Sequence, residues 1–248
     1  MKISVITTSY NSGHTIGDTI NSVLSQDYSN VEHIIVDAGS TDDTLEVLRR
    51  FQDKVKFVSE KDGGIYYGMN KGLAMSTGDV ICFLNADDWY CGDDVLSKVV
   101  AKMKCSNCLV VYGDLAYVRQ FNPERIVRTW RSGKFRRKNI YYGWMPPHPA
   151  FFAHRQVYEQ VGFYNTDLSN AADYELMLRI LLKYEHNACY LPEVLVKMRL
   201  GGYSNSSWKN RLRANREDHR AWKINDLQPH LFTRYLKPLR KLPQFFVR

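Results

Sequence analysis

The chain has 248 residues, of which 44% are hydrophobic and 13% aromatic, and it carries a net charge of +8. That is enough chain to bury the core of one large α/β domain, and the composition excludes a disordered or low-complexity protein. No apolar run is long enough to span a bilayer and no charged-then-apolar leader opens the sequence, so a cytoplasmic location is expected.

The first strand, Ile3-Ser4-Val5-Ile6-Thr7-Thr8-Ser9-Tyr10-Asn11, breaks abruptly into hydroxyl and amide side chains. Ile16, Ile20, Val23 and Leu24 then repeat at the spacing of one apolar helix face. A second strand, Val31 to Val36, ends in Asp37-Ala38-Gly39-Ser40-Thr41, where Ser40 or Thr41 is placed to cap the helix bearing Leu45, Val47, Leu48 and Phe51. A third, Val55 to Val58, runs into Glu60-Lys61-Asp62-Gly63-Gly64, and the helix with Ile65, Met69 and Leu73 is expected to stop at Gly78 in a left-handed cap. The fourth apolar run, Val80 to Leu84, drives into Asn85-Ala86-Asp87-Asp88.

Strands joined by crossover helices run parallel, so these strand ends share one edge. Ligands of open α/β sheets bind there, and Thr8, Tyr10, Asp37, Lys61 and Asp87 are expected to converge on one crevice. Two adjacent acids on a rigid edge repel one another unless a divalent cation and a polyanion share the charge, which suits a metal-bound diphosphate; a helix-capping Asp is the plain alternative.

The blocks ISVITTSYN, VDAGSTDDT, SEKDGGIYYGMNKGLAMSTGD and LNADD resemble the family-2 glycosyltransferases, which have the GT-A nucleotide-sugar-binding fold. PPHPAFFAHRQVYEQVGFYNTDL, AADYELMLR and LGGYSN continue the resemblance in the same order, to about residue 205. Its closest likeness within the family is to bacterial enzymes that build surface polysaccharides. The resemblance implies a mostly parallel, Rossmann-like sheet flanked by helices. It implies a donor-binding half over residues 1–114, an acceptor and catalytic-base half over 115–205, and a basic helical tail over 206–248.

It also assigns roles. Thr8, Tyr10, Asn11, Asp37, Lys61, Asp62, Asn85 and Asp87 would bind a nucleotide-sugar donor, with uridine the default base. Asp87 and Asp88 would hold Mn²⁺ or Mg²⁺. Asn85 replaces the first acid of the family's D-x-D motif, which lowers the negative charge at the metal. Asp173 matches the catalytic base, and Ala172 stands where the family's block usually has Glu. A base opposite a metal-held leaving group implies inversion at the anomeric carbon. His148, between two prolines, and Trp144 would meet the acceptor, a glycan or a polyprenyl-diphosphate-linked sugar, and the Gly201-Gly202-Tyr203-Ser204 turn would close over the diphosphate.

The five cysteines, Cys82, Cys91, Cys105, Cys108 and Cys189, read as reduced thiols, and the lone C-x-x-C at 105–108 has no second pair for zinc. Residues 209–248 hold 11 basic and 3 acidic side chains, a charge of 11 − 3 = +8, so residues 1–208 sum to zero. Bases interleaved with aromatics over 208–248 suit an anionic membrane surface, with packing on the chain's own domain or in a homodimer as the competing reading. No nucleic-acid module is recognisable. Two rival functions stay open at this level: a nucleotidyltransferase, and a sugar-binding or membrane scaffold without turnover, which Asn85 and Ala172 favour.

Overall fold

The computed structural model of the protein describes residues 1–201, 208–240 and 244. Strands β1 (Ile3–Ser9), β2 (Val31–Asp37), β3 (Lys56–Ser59) and β4 (Val80–Phe83) alternate with helices α1 (Ile16–Leu24), α2 (Thr44–Arg50) and α3 (Ile65–Met75). The strands pair in parallel in the order β3-β2-β1-β4, with Ser9 beside Asp37 and Ile6 beside Phe83. β1 and β4 are buried on both faces because helices cover both, as parallel sheets require.

Beyond β4 the sheet becomes mixed, where a mostly parallel sheet was expected. Strands β5 (Asp88–Tyr90), β6 (Val110–Arg119), β7 (Asn122–Trp130), β8 (Phe151–His154) and β9 (Ala188–Arg199) extend it as β4-β8-β6-β9-β5, and β7 pairs with β6. The connections explain the change. The β6–β7 link is a tight hairpin, which only antiparallel strands permit, whereas β6 and β9 run parallel because a long helical crossover separates them. That crossover contains α5 (Arg137–Tyr141), α6 (Arg155–Val161) and α7 (Ala172–Leu178), the last extended by a wider turn over Arg179–Lys183. Helix α4 (Val95–Ser106) covers the other face.

Several local expectations are corrected. Helix α3 ends at Met75 with an extended cap at Ser76. Gly78 instead lies where β1 passes, and a Cβ there would come 2.6 Å from Ser4 Oγ. Ser40 and Thr41 do not cap α2, which starts after Asp43, and the Asp42 carboxylate accepts from the Thr44 N–H at 3.0 Å. Cys108 and Cys189, neighbours at the starts of β6 and β9, are joined as a disulfide with Cα atoms 6.2 Å apart, while Cys82, Cys91 and Cys105 are free thiols.

The tail forms α8 (Trp208–Ile224) and α9 (Thr233–Leu239). From Arg213 on, α8 lies against α7. Ala221 and Trp222 are buried, Trp222 Nε1 donates to the Tyr174 hydroxyl at 2.8 Å, and Asn225 Nδ2 donates to Glu175 Oε1 at 2.9 Å. The tail's three acids are spent internally, Glu217 on Arg213, Asp218 on Lys237 and Asp226 on Lys183. No helix among the described residues is long and apolar enough to cross a membrane.

Candidate active site

The carboxyl ends of β1 to β4 bring together most of the residues expected there. Tyr10 is exposed beyond β1, and Asn11 takes a left-handed conformation (φ 49°) that lets its Oδ1 accept from the Thr41 N–H at 2.9 Å. Asp37 is fully buried at the end of β2. Its Oδ1 accepts from the Ser9 and Ser40 hydroxyls at 2.9 and 2.5 Å, and its Oδ2 from the Gly39 and Ser40 N–H groups and from Ser59 Oγ. Burial pushes the Asp37 pKa up, but these donors outweigh it and the net shift is downward. In this state the carboxylate shapes the loop that walls the crevice. Lys61 lies over that loop: Gly39 (φ 77°) has no Cβ to hold it off, and one would sit 3.1 Å from Lys61 Cγ. Across the crevice Gly68 of α3 abuts both Thr8 and Asp62, so these two share one wall.

The acidic tip follows β4 as a turn. Asn85 Nδ2 donates to Asp88 Oδ2 at 2.9 Å, so Asn85 orients an acid instead of supplying one. Asp88 is completely buried and its Oδ1 has no hydrogen-bond partner. Burial raises its pKa, and the neighbouring Asp87 charge raises it further; Asp87, half-buried, is also raised by burial. An unsatisfied buried oxygen beside a second, partly desolvated carboxylate is the donor set expected to gain from a divalent cation. Asp87 is the more accessible of the two and Asp88 the support behind it, and no group of three candidate metal-ligating side chains occurs among the described residues.

Sequence reasoning missed Arg199, at the end of β9. Its guanidinium donates to the Asp87 carbonyl at 3.0 Å, pairs with Asp18 at 2.5 Å and stacks over the Trp89 ring at 4.4 Å. One cation thereby ties α1, the acidic turn and β9 together. Its only sequence signal is its position just before the LGGYSN block.

In the half of the chain expected to meet the acceptor, Asp173 sits in the first turn of α7, half-buried, and Tyr66 of α3 donates to its Oδ1 at 3.1 Å. Burial, and then the Asp173 charge, raise the Tyr66 pKa well above normal, which keeps that hydroxyl a donor. Tyr66 was not foreseen, because nothing in a single sequence links residues 107 apart. Ala172 is fully buried in the apolar cluster, so position 172 offers no room for a solvated acid. Glu175 is locked by Arg179 and Asn225 and points away, as its helical offset requires.

His148 stacks on Phe83, its Nε2 2.7 Å from the Tyr164 hydroxyl. Burial lowers its pKa, against the pull of the Asp173 charge, so it is neutral. Trp144 is a correction: its ring is buried between Tyr112 and Phe135 and Nε1 donates to the Ser132 carbonyl at 2.7 Å, leaving no open face for a sugar. A run of rings, Phe83 to Tyr164 to Tyr66, connects the end of β4 to Asp173. The Gly201–Ser204 turn falls, after Gly201, outside the described residues.

Residues 4–162 match the model of the family described as Glycosyl transferase family 2. The chain belongs to that family. It is 32% identical over 189 residues to an uncharacterised glycosyltransferase of Mycobacterium tuberculosis, covering 74% of this chain and 70% of the relative. A PGL/p-HBAD biosynthesis glycosyltransferase of Mycobacterium bovis is 27% identical over 209 residues, with 82% and 79% covered. Among solved structures, S. aureus TarS in complex with UDP-GlcNAc superposes with a TM-score of 0.71 at 18% identity, over 95% of this chain and 69% of that one. A longer TarS structure is matched over only 44% of its length. The mannosyltransferase PcManGT of Pyrobaculum calidifontis, in complex with GDP-Man and Mn²⁺, gives 0.66 at 19% identity, over 96% and 72%. This family 2 glycosyltransferase therefore has the GT-A fold, and its sheet turns mixed after the parallel strands β1 to β4.

Proposed function

We propose that this family 2 glycosyltransferase moves a sugar from a uridine-diphosphate donor to a hydroxyl of a glycan or lipid-linked acceptor in polysaccharide biosynthesis, with inversion at the anomeric carbon. The observation that carries the reading is Asp173: a carboxylate at the mouth of α7, one oxygen held by Tyr66, joined through the packed rings of Tyr66, Tyr164 and Phe83 to the end of β4, the strand that leads into the turn at Asp87. Asp173 takes the proton of the attacking hydroxyl on its second oxygen, while Tyr66 fixes the carboxylate plane and stays protonated. His148, neutral beneath Phe83, lines the same side without adding a competing charge.

Tyr10, Asn11, Asp37, Lys61 and Asp62 form the base and ribose crevice. Asp87, with Asp88 behind it, would hold Mn²⁺ or Mg²⁺ against the diphosphate, where the cation would supply charge neutralisation to the leaving group. The nucleotide sugars and Mn²⁺ bound by TarS and PcManGT support this choice of ligands. Arg199 keeps the acidic turn in place.

The test is transfer and donor hydrolysis assayed with a series of nucleotide sugars and Mn²⁺. Asp173→Asn is expected to lower kcat by about 10²–10⁴-fold while nucleotide-sugar binding, read as a melting-temperature rise, is kept. A wild-type protein that binds nucleotide sugar and turns over no acceptor would support the scaffold reading instead.

A further inference from the structure

The zero net charge of residues 1–208 conceals a division. Residues 119–138 hold 8 basic side chains and 1 acidic, or 8 − 1 = +7, so the remainder of that stretch carries −7. The basic run covers the β6–β7 hairpin and the approach to α5. Arg119, Arg125, Arg131, Lys134, Arg136 and Lys138 are all exposed, whereas the neighbouring Arg137 is paired with Glu185.

The hairpin has a direction. β4 is antiparallel to β8 and β8 to β6, so β6 runs the same way as β4, with Val111 level with Cys82 through Phe152. The eight further residues to Arg119 carry the hairpin on the order of 25 Å past that level, on the edge where the donor crevice opens. At its tip Phe121 is 94% exposed, and Ile126 and Val127 of β7 are exposed beside the cations.

A second apolar prong stands next to the far end of the same run. Leu231 and Phe232, between α8 and α9, are 86% and 68% exposed. Their segment is anchored to the end of α5, where the Thr233 hydroxyl donates to the Tyr141 carbonyl at 2.5 Å and the His230 ring lies 5.0 Å from that of Tyr141. Exposed aliphatic side chains such as Leu231, Ile126 and Val127 gain nothing from a soluble polyanion, but together with exposed aromatics and exposed cations they match an interface that is anionic outside and apolar beneath.

We propose that the basic β6–β7 hairpin, residues 119–138, and the Leu231–Phe232 turn together form a face that docks on an anionic lipid bilayer. The donor edge would then open toward the surface from which a lipid-linked acceptor presents its hydroxyl. This deepens the proposed acceptor class, but the docking itself needs no turnover.

The full chain is floated with vesicles of phosphatidylcholine containing phosphatidylglycerol, and with phosphatidylcholine alone. Binding is expected to the anionic vesicles only and to fall with added salt. The triple variant Arg125→Gln, Lys134→Gln, Lys138→Gln should weaken binding about a hundredfold, at about fivefold per cation. Phe121→Ser and Phe232→Ser should each weaken it about tenfold. None of these residues belongs to the proposed catalytic site, so the melting rise given by nucleotide sugar should be kept in every variant and shows that each is folded. Equal binding to both vesicle types, or unchanged binding by the triple variant, overturns the proposal. So does a wild-type dimer, seen by light scattering, that the same substitutions dissociate, because the face would then belong to a second copy. None of these outcomes bears on glycosyl transfer, which the Asp173 assay tests by itself.

Discussion

Helix α8 is built as a brace for the helix that carries Asp173, and Trp222→Ala tests this. The Trp222 side chain is 2% exposed, packs against Tyr141 with ring centroids 5.2 Å apart, and donates to the hydroxyl of Tyr174, the residue next to Asp173. Truncating a buried Trp to Ala costs about 3–5 kcal/mol in cavity and lost transfer energy. In a chain of this size that lowers Tm by about 10 °C. Trp222→Phe keeps most of the packing and loses only the N–H donor, so it should cost about 1–2 kcal/mol, mainly from the hydroxyl left without it. Because α7 would shift at its first turn while the donor strands stay in place, Trp222→Ala should lower kcat about tenfold and leave the donor KM unchanged. Urea titration and initial rates at varied donor concentration measure both. A stability loss under about 1 kcal/mol, or a raised donor KM with normal kcat, would show that the tail does not brace α7 in solution.

Three other outcomes are expected. His33 of β2 is buried, its Nε2 2.9 Å from Thr7 Oγ1, and burial lowers its pKa to about 3. The neutral ring contributes stability in full above the unfolded value of about 6.5, and that stability is lost as pH falls toward the folded value: the protein should be about 2 kcal/mol less stable at about pH 5 than at neutrality, and His33→Gln should flatten the dependence in urea titrations. Arg199→Gln removes the tie between Asp18 and the Asp87 carbonyl, so the donor KM measured with Mn²⁺ should rise about tenfold, the equivalent of one charged hydrogen bond. At Gly72 an added Cβ would lie 2.3 Å from Ile6 Cγ2, so Gly72→Ala should destabilise by about 1–3 kcal/mol, read from the urea midpoint.

Much of the region from β1 to the acidic turn after β4 was legible because its pattern is local. Each strand there is a short apolar run that ends in polar residues, and each crossover helix has its own period, so edge and direction follow from neighbouring residues alone. Thr8, Tyr10, Asp37, Lys61 and Asp87 could be assigned to one edge without coordinates. Helix ends were less legible. Gly78 reads as a cap but serves a close approach to Ser4, and Ser40 reads as a cap but donates to Asp37, since a residue suited to two local roles takes the one its tertiary neighbours require.

By itself, the sequence determined the alternating core, the parallel strands β1 to β4, the acidic tip after β4 and a basic excess at the tail, all properties of contiguous stretches. Only the tertiary structure decided that Tyr66 holds Asp173, that Arg199 grips the turn at Asp87, that Trp144 is core and that Trp222 braces α7. It also showed how the basic run at 119–138, hidden in the zero sum of residues 1–208, projects past the carboxyl end of β4. The reason is physical: periodicity reports which face of an element is buried, whereas partners separated by up to 181 residues are selected by packing and by the need to satisfy buried polar groups, which only the assembled sheet defines.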